Sequence, residues 1–397
     1  MSTKLVLVLV LLFSFVLGRF LYELRGRLAL PSTAIHAVVG LVLGPLALGV
    51  LDDQVLAGVQ PVLSLLLGLV GFGKGLLLRR QLPGRRGLIA GAVGAGAVIA
   101  LVTVTVAGGL YATGWRFGAL LWPALAIGGI AAVIDDRVLA ALADRAGAAG
   151  PSRDLLRTFA LSSSIVAVCA FGLSLALARA DTDTNRSVVL WLLAAPAAGV
   201  ACGLLFRLFT GPAQTDQRLL VGTVGILALV SGVASATGTS PLLAGLVAGM
   251  TASFVSDHAE PVGASLEPLR TPALIGVMIL AGAMWAPPTG ITWLVVLACV
   301  VARLPALRVA GWLGPRVIPG LRRPHRLGAA LLPQGGLGVA IAVNFAQVYP
   351  GEGPLVLTVA LLGAAAGDLL GHRVVRRVLA DAGEVAHRAT RLLDVPS

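Results

Sequence analysis

The chain is a succession of apolar runs separated by short polar segments, most of them near the ~20 residues that a helix needs to cross ~30 Å of hydrocarbon. The first runs from about Leu5 to Phe20. A lysine precedes it, as in a signal peptide, but no small-x-small cleavage site with a polar start follows before Arg25, so it reads as span 1. Span 2 follows Pro31 and reaches about Val50; span 3 covers Val55 to Leu78, and span 4 Gly87 to Tyr111. Span 5 extends from Phe117 to about Ala143, span 6 from Leu155 to Ala178, span 7 from Val188 to Phe209, span 8 from Leu219 to Ala236 and span 9 from Pro241 to Val255. Span 10 is expected from Pro272 to Trp285, span 11 from Ile291 to Leu313, span 12 from Leu327 to Val348 and span 13 from Leu355 to Leu379.

Two of these runs are interrupted. In span 5 the apolar stretch beginning at Phe117 meets Ile134-Asp135-Asp136-Arg137 and then resumes. A carboxylate inside a bilayer is costly unless compensated, so it tends to face a cavity or an ion path. If the helix breaks here, the second half-helix offers free N–H groups that Asp135 is suited to cap; otherwise the span ends at Ile134 and both aspartates lie among the headgroups. In span 12, Leu332-Pro333-Gln334-Gly335-Gly336 removes a backbone donor and loosens the following turn. Either exposed carbonyls and Gln334 line a polar cavity, or the segment is a packing kink. The interruptions lie seven spans apart, the offset expected of two inverted repeats whose discontinuous helices cross near the midplane.

Composition agrees with the pattern: 57% hydrophobic residues, 12% charged residues and 50 glycines leave too little polar surface for a soluble globule. The fold class is therefore an all-α membrane protein of about 13 transmembrane helices. A net charge of +12 would point to nucleic acid in a soluble chain, but no basic stripe with interleaved aromatics is present. The arginines cluster instead in odd-numbered loops, for example Arg79, Arg80, Arg85 and Arg86, or Arg316, Arg322, Arg323 and Arg326. Under the positive-inside rule this places the N-terminus outside and the C-terminus in the cytoplasm. Cys169, Cys202 and Cys299 sit in apolar runs without ligand-like spacing, so no metal site or disulfide framework is expected. No nucleotide motif appears, and no cofactor or enzymatic activity is expected.

Several other polar residues fall inside spans. Lys74 in span 3 could snorkel to the interface or join a core ion pair. Arg303 in span 11 is expected to pair with a core carboxylate, with Asp368 in span 13 as the candidate partner. His36 and Asn344 read as polar glue between helices.

At this point the residues resemble the monovalent cation:proton antiporter family of the sodium/proton exchanger superfamily. Pro31 with Val39-Gly40-Leu41-Val42-Leu43-Gly44-Pro45 is similar to its opening proline and G-x-x-x-G-P stretch. Ser240-Pro241-Leu242-Leu243-Ala244-Gly245 with Ala248-Gly249 resembles its S-P-x-x-x-G-x-x-x-G helix. Arg303, Pro333-Gln334-Gly335-Gly336 and Ala382-Gly383-Glu384 follow in the same order. The likeness implies a secondary transporter that exchanges protons for Na⁺ or K⁺ by alternating access, as a multi-pass homodimer in the cell (inner) membrane. It also implies scaffold spans at about 1–78 and 219–285, core spans at about 87–178 and 291–379, a linker span at 188–209 and a short cytoplasmic tail at 380–397.

The sequence departs from that pattern at the ion site. With Gly147-Ala148-Ala149-Gly150-Pro151 as register, Ile134-Asp135-Asp136 stands where the family reads Thr-Ser-Pro, and Ser163-Ser164 stands where it carries its acidic pair. The usual carboxylate is absent at Ser164. Asp135 and Asp136 are the replacement candidates, with Ser162, Ser163 and Ser164 either supplying oxygens to a cation or bonding their own helix. A divergent protein of this fold with another solute or no exchange is the alternative. An intramembrane aspartyl protease using Asp135 or Asp136 with Asp368 is a remote one.

Overall fold

The computed structural model describes residues 32–81, 85–145, 147–148, 150–182, 187–209, 216–256, 258–313, 327–381 and 383. Span 1, Pro31, the Arg316 to Arg326 loop and Glu384 lie outside the described residues. Among the described residues fourteen helices follow in order: α1 (Ser32–Leu43), α2 (Asp53–Gln81), α3 (Arg85–Ala112), α4 (Phe117–Ala132), α5 (Asp136–Arg145), α6 (Pro151–Thr182) and α7 (Val188–Phe209). Then come α8 (Asp216–Ala236), α9 (Pro241–Val255), α10 (Ala259–Ala283), α11 (Thr292–Leu313), α12 (Leu327–Ala330), α13 (Gly335–Val348) and α14 (Gly353–Asp381). Nine described segments are long and apolar enough to cross a membrane, the interrupted α4–α5 counted as one, and three shorter apolar helices accompany them. These segments coincide with spans 2 to 13.

The helices pack as two bundles. In one, α3 lies against α4, α6 and α11, and α13 against α14; in the other, α2 and α9 form the closest pair, with α1, α8 and α10 around them. Helix α7 packs on α9, α8 and α6, so it touches both. Glycines set the spacing of the α2–α9 pair: a Cβ on Gly71 would overlap the Leu242 carbonyl, and one on Gly245 the Gly68 backbone. Apolar lipid gives no hydrophobic drive between membrane helices, so close backbone approach at small residues supplies much of the attraction. Ser240 starts α9 with its hydroxyl accepting from Leu243 N at 3.1 Å, and Pro241 fills the first helical position. The glycines and the cap of the S-P-x-x-x-G-x-x-x-G stretch are thus packing and capping devices in this chain.

One boundary differs from expectation. Helix α10 begins at Ala259, well before Pro272, and carries Pro268 and Pro272 within it. Arg270, expected in a loop, is therefore inside a helix and only 2% exposed. Proline patterning misled because tertiary packing holds a helix through both residues.

Candidate functional site

Both interruptions are true breaks, and they touch. Helix α4 stops at Ala132, and its cap residue Val133 turns to an extended conformation. The chain re-enters helix at Asp136, with the Asp135 side chain as cap: its Oδ1 accepts from Arg137 N at 2.9 Å and Val138 N at 3.2 Å. On the other strand of the crossing, α12 ends at Ala330 and α13 begins at Gly335. The Asp135 backbone N–H donates to the Pro333 carbonyl at 2.9 Å, which joins the two breaks directly. Gly335 has φ +61, and a Cβ there would overlap the Asp135 carboxylate, so glycine is required twice over.

A broken helix leaves carbonyls without intrahelical donors, and each must be satisfied where no water reaches. Here the chain's own side chains do it. Arg303, 5% exposed, reaches from α11 with Nε donating to Ala131 O at 2.9 Å, Nη1 to Leu332 O at 2.9 Å and Nη2 to Val133 O at 3.2 Å. Ser163 Oγ donates to Ala132 O at 2.6 Å and Ser164 Oγ to Ile134 O at 2.9 Å. Gln334 Nε2 donates to Ile130 O at 3.1 Å. Every carbonyl from Ile130 to Ile134, and both Leu332 and Pro333, thus has a donor. A fixed guanidinium lies beside the negative ends of two half-helices, where helix dipoles favour a cation.

Two expectations are corrected by this geometry, and a third, left open between two outcomes, takes one of them. Arg303 forms no pair with Asp368: it is spent on backbone carbonyls, while Asp368 accepts a hydrogen bond from Thr33 of α1. The serines do not bond their own helix: the Ser163 and Ser164 hydroxyls donate across to the break, and Ser162 donates to Leu88 O at 2.6 Å. Lys74 does not snorkel. It is 5% exposed and forms an ion pair with Asp136, 6% exposed, at the start of α5.

The two aspartates therefore have different surroundings. Asp136 faces Lys74, whereas Asp135 lines a cavity of about 410 Å³ together with Gly335, Gly336 and Asp368. Thr33, His36, Arg137, Arg145 and Met278 are among the other residues lining that cavity. Gln334 is 1% exposed, and its Oε1 lacks a hydrogen-bond partner among the described residues, lying against Gly363. Asn344 accepts from Ser240 Oγ at 2.6 Å, a buried link between the bundles. The Lys74–Asp136 pair and the triple use of Arg303 had no signal in sequence spacing, because their partners come from distant helices.

The sequence profile described as sodium/hydrogen exchanger, transmembrane, matches residues 6–365. The chain belongs to this family. A solved structure titled as the sodium proton antiporter MjNhaP1 from Methanocaldococcus jannaschii is similar to this family member with a TM-score of 0.66 and 15% sequence identity. The match covers 97% of this chain and 99% of that one, and at this identity the likeness is one of fold. No curated protein matches the sequence. Membership in a family of exchangers and the matching fold give the aspartyl protease reading no support.

Proposed function

We propose that this chain exchanges protons for a monovalent cation, Na⁺ or K⁺, by alternating access, with Asp135 as the carboxylate that holds one or the other. The observation that carries this is the placement of Asp135 where the two breaks meet and where it lines the cavity. A carboxylate there accepts either one proton or one cation, and hard cations prefer its oxygen to softer donors. The bundle containing α3 to α6 and α11 to α14 is the moving core in this reading, and the bundle containing α1, α2 and α8 to α10 is the scaffold. The chain would work in the cell membrane as a homodimer, with its C-terminus in the cytoplasm.

In proteoliposomes, wild type is expected to dissipate a pH gradient when Na⁺ or K⁺ is added. Asp135→Asn should abolish this while the purified protein stays monodisperse. An active Asp135→Asn variant would sink the assignment of Asp135.

A second reading has its own support. The carbonyls from Ile130 to Ile134 and those of Leu332 and Pro333 are already held by Arg303, Ser163, Ser164, Gln334 and the Asp135 N–H, and Asp136 already holds an ammonium. A chain whose own groups fill the ion seat would bind no inorganic cation. Absence of wild-type exchange across a pH range with either ion would put this reading first.

A further inference from the structure

We propose that Asp136 alternates between two docking partners on the opposite bundle, Lys74 in the present arrangement and Arg270 in the other end state. The inference rests on the alternating-access reading above, but not on which ion moves.

Asp136 opens α5 in one bundle, while Lys74 on α2 and Arg270 on α10 both belong to the other. Arg270 is 2% exposed, and only one of its nitrogens is well placed: Nη1 donates to Glu267 Oε2 at 2.9 Å. Its Nε and Nη2 have no hydrogen-bond partner among the described residues. A buried guanidinium with two idle donors is expensive, since donors left unmet in the interior keep their full desolvation cost. An acceptor that reaches them in another state of the protein would remove that cost.

Asp136 is the carboxylate in position to do so. Arg270 lies along α2 next to Lys74: a Cβ on Gly73 would come within 3.0 Å of Arg270 Cδ and 3.2 Å of Nε. After Lys74, Arg270 and Arg137 are the charges acting on Asp136. The other nearby carboxylates are committed. Asp135 Oδ1 caps α5, and Glu267 already serves Arg270 Nη1 and faces Arg137 Nη1 at 3.6 Å. Arg137, the next residue of α5, also donates to Thr271 Oγ1 at 3.4 Å, so the first turn of α5 is docked on α10 as well as α2. Two scaffold cations side by side, served by one buried carboxylate on the facing bundle, make two seats for one charge. A slide of α5 that trades Lys74 for Arg270 keeps the buried carboxylate paired at both ends and leaves one buried cation short of it at each, the idle donors of Arg270 in the present arrangement and the Lys74 ammonium in the other, so the two end states are similar in cost.

The test is accessibility in nanodiscs of a cysteine introduced at Ala141, which lines the cavity in the present arrangement, in a chain whose three native cysteines are replaced by alanine. Lys74→Met removes the present seat, and maleimide labelling at position 141 should fall about tenfold as the population shifts. Adding Arg270→Gln removes the second seat and should reverse that fall; Lys74→Arg should keep wild-type labelling. Arg270→Gln alone should raise labelling, which keeps the idea testable if Lys74→Met does not fold. Unchanged labelling in a folded Lys74→Met, or in Arg270→Gln alone, overturns the proposal, as does a fall that persists in the double variant. A plain structural ion pair would give a fall independent of Arg270. Labelling that follows these expectations in a protein without exchange would keep the two seats and remove the antiporter reading; exchange with unresponsive labelling would do the reverse.

Discussion

Arg303 is the residue on which the crossing depends most. It supplies one donor each to Ala131, Val133 and Leu332, tying the ends of two half-helices to one side chain. Arg303→Met would strand three buried carbonyls at roughly 1–3 kcal/mol each, a large fraction of a typical folding stability. Its detergent-solubilised thermal midpoint should therefore fall well below wild type. Arg303→Lys should recover only part of the loss, because a single ammonium lacks the planar fork that reaches two breaks at once. Equal stability of wild type and Arg303→Met would show that water or neighbouring donors replace the guanidinium. The same logic explains the serines at the family's acidic positions. With Arg303 already holding the carbonyls, Ser163 and Ser164 act as neutral donors to Ala132 and Ile134, roles that an ionised carboxylate cannot fill.

At the scale of elements, the α2–α9 pair anchors one bundle. Gly68, Gly71 and Gly75 on α2 face Gly245, Gly249 and the Leu242 and Leu246 backbone on α9. Gly71→Leu would push these backbones apart, since the Cβ position meets main chain rather than a side chain that can turn away. Loss of monodisperse protein or a strongly lowered thermal midpoint is expected, whereas Gly96→Leu on α3, where a Cβ meets nothing within 4 Å, should be tolerated. Comparable stability of the two variants would remove the packing argument. The breaks obey a different rule. They persist because Pro333 and the Asp135-Asp136 pair conflict with a continuous apolar helix, and because each break supplies the other with a partner through Asp135 N–H and Pro333 O.

For the whole molecule, the arginine distribution predicts an orientation. Cysteines introduced at positions 83 and 320 should be labelled by an impermeant maleimide in everted vesicles and protected in intact cells. Labelling of both from outside the cell would overturn the thirteen-span arrangement with an external N-terminus. The two bundles are joined by polar links, the buried Lys74 to Asp136 and Ser240 to Asn344 and the partly buried Thr33 to Asp368, supplemented by Trp285 Nε1 to Thr358 Oγ1 at 2.8 Å. Such links orient one bundle on the other, and the proposed alternating access would require them to be exchanged.

The amino-acid sequence by itself determined the class, the order of spans and the two places where an apolar run is interrupted. Those features follow from local chemistry: a bilayer demands long apolar helices, and adjacent carboxylates, or a proline followed by paired glycines, disturb them, whereas Pro268 and Pro272 alone do not break α10. Family membership was legible for a similar reason, in short motifs such as Ser240-Pro241 and Gly335-Gly336 that serve capping, turning and close packing. Tertiary structure alone decided who satisfies whom. Lys74 and Asp136 are 62 residues apart, and Arg303 finds acceptors 172, 170 and 29 residues away. A buried charge takes the partner that three-dimensional packing brings to it, and the cost of leaving it alone is set by burial that no periodicity records. That is why the expected Arg303–Asp368 pair gave way to carbonyls, and why of two adjacent aspartates one faces an ammonium and the other the cavity.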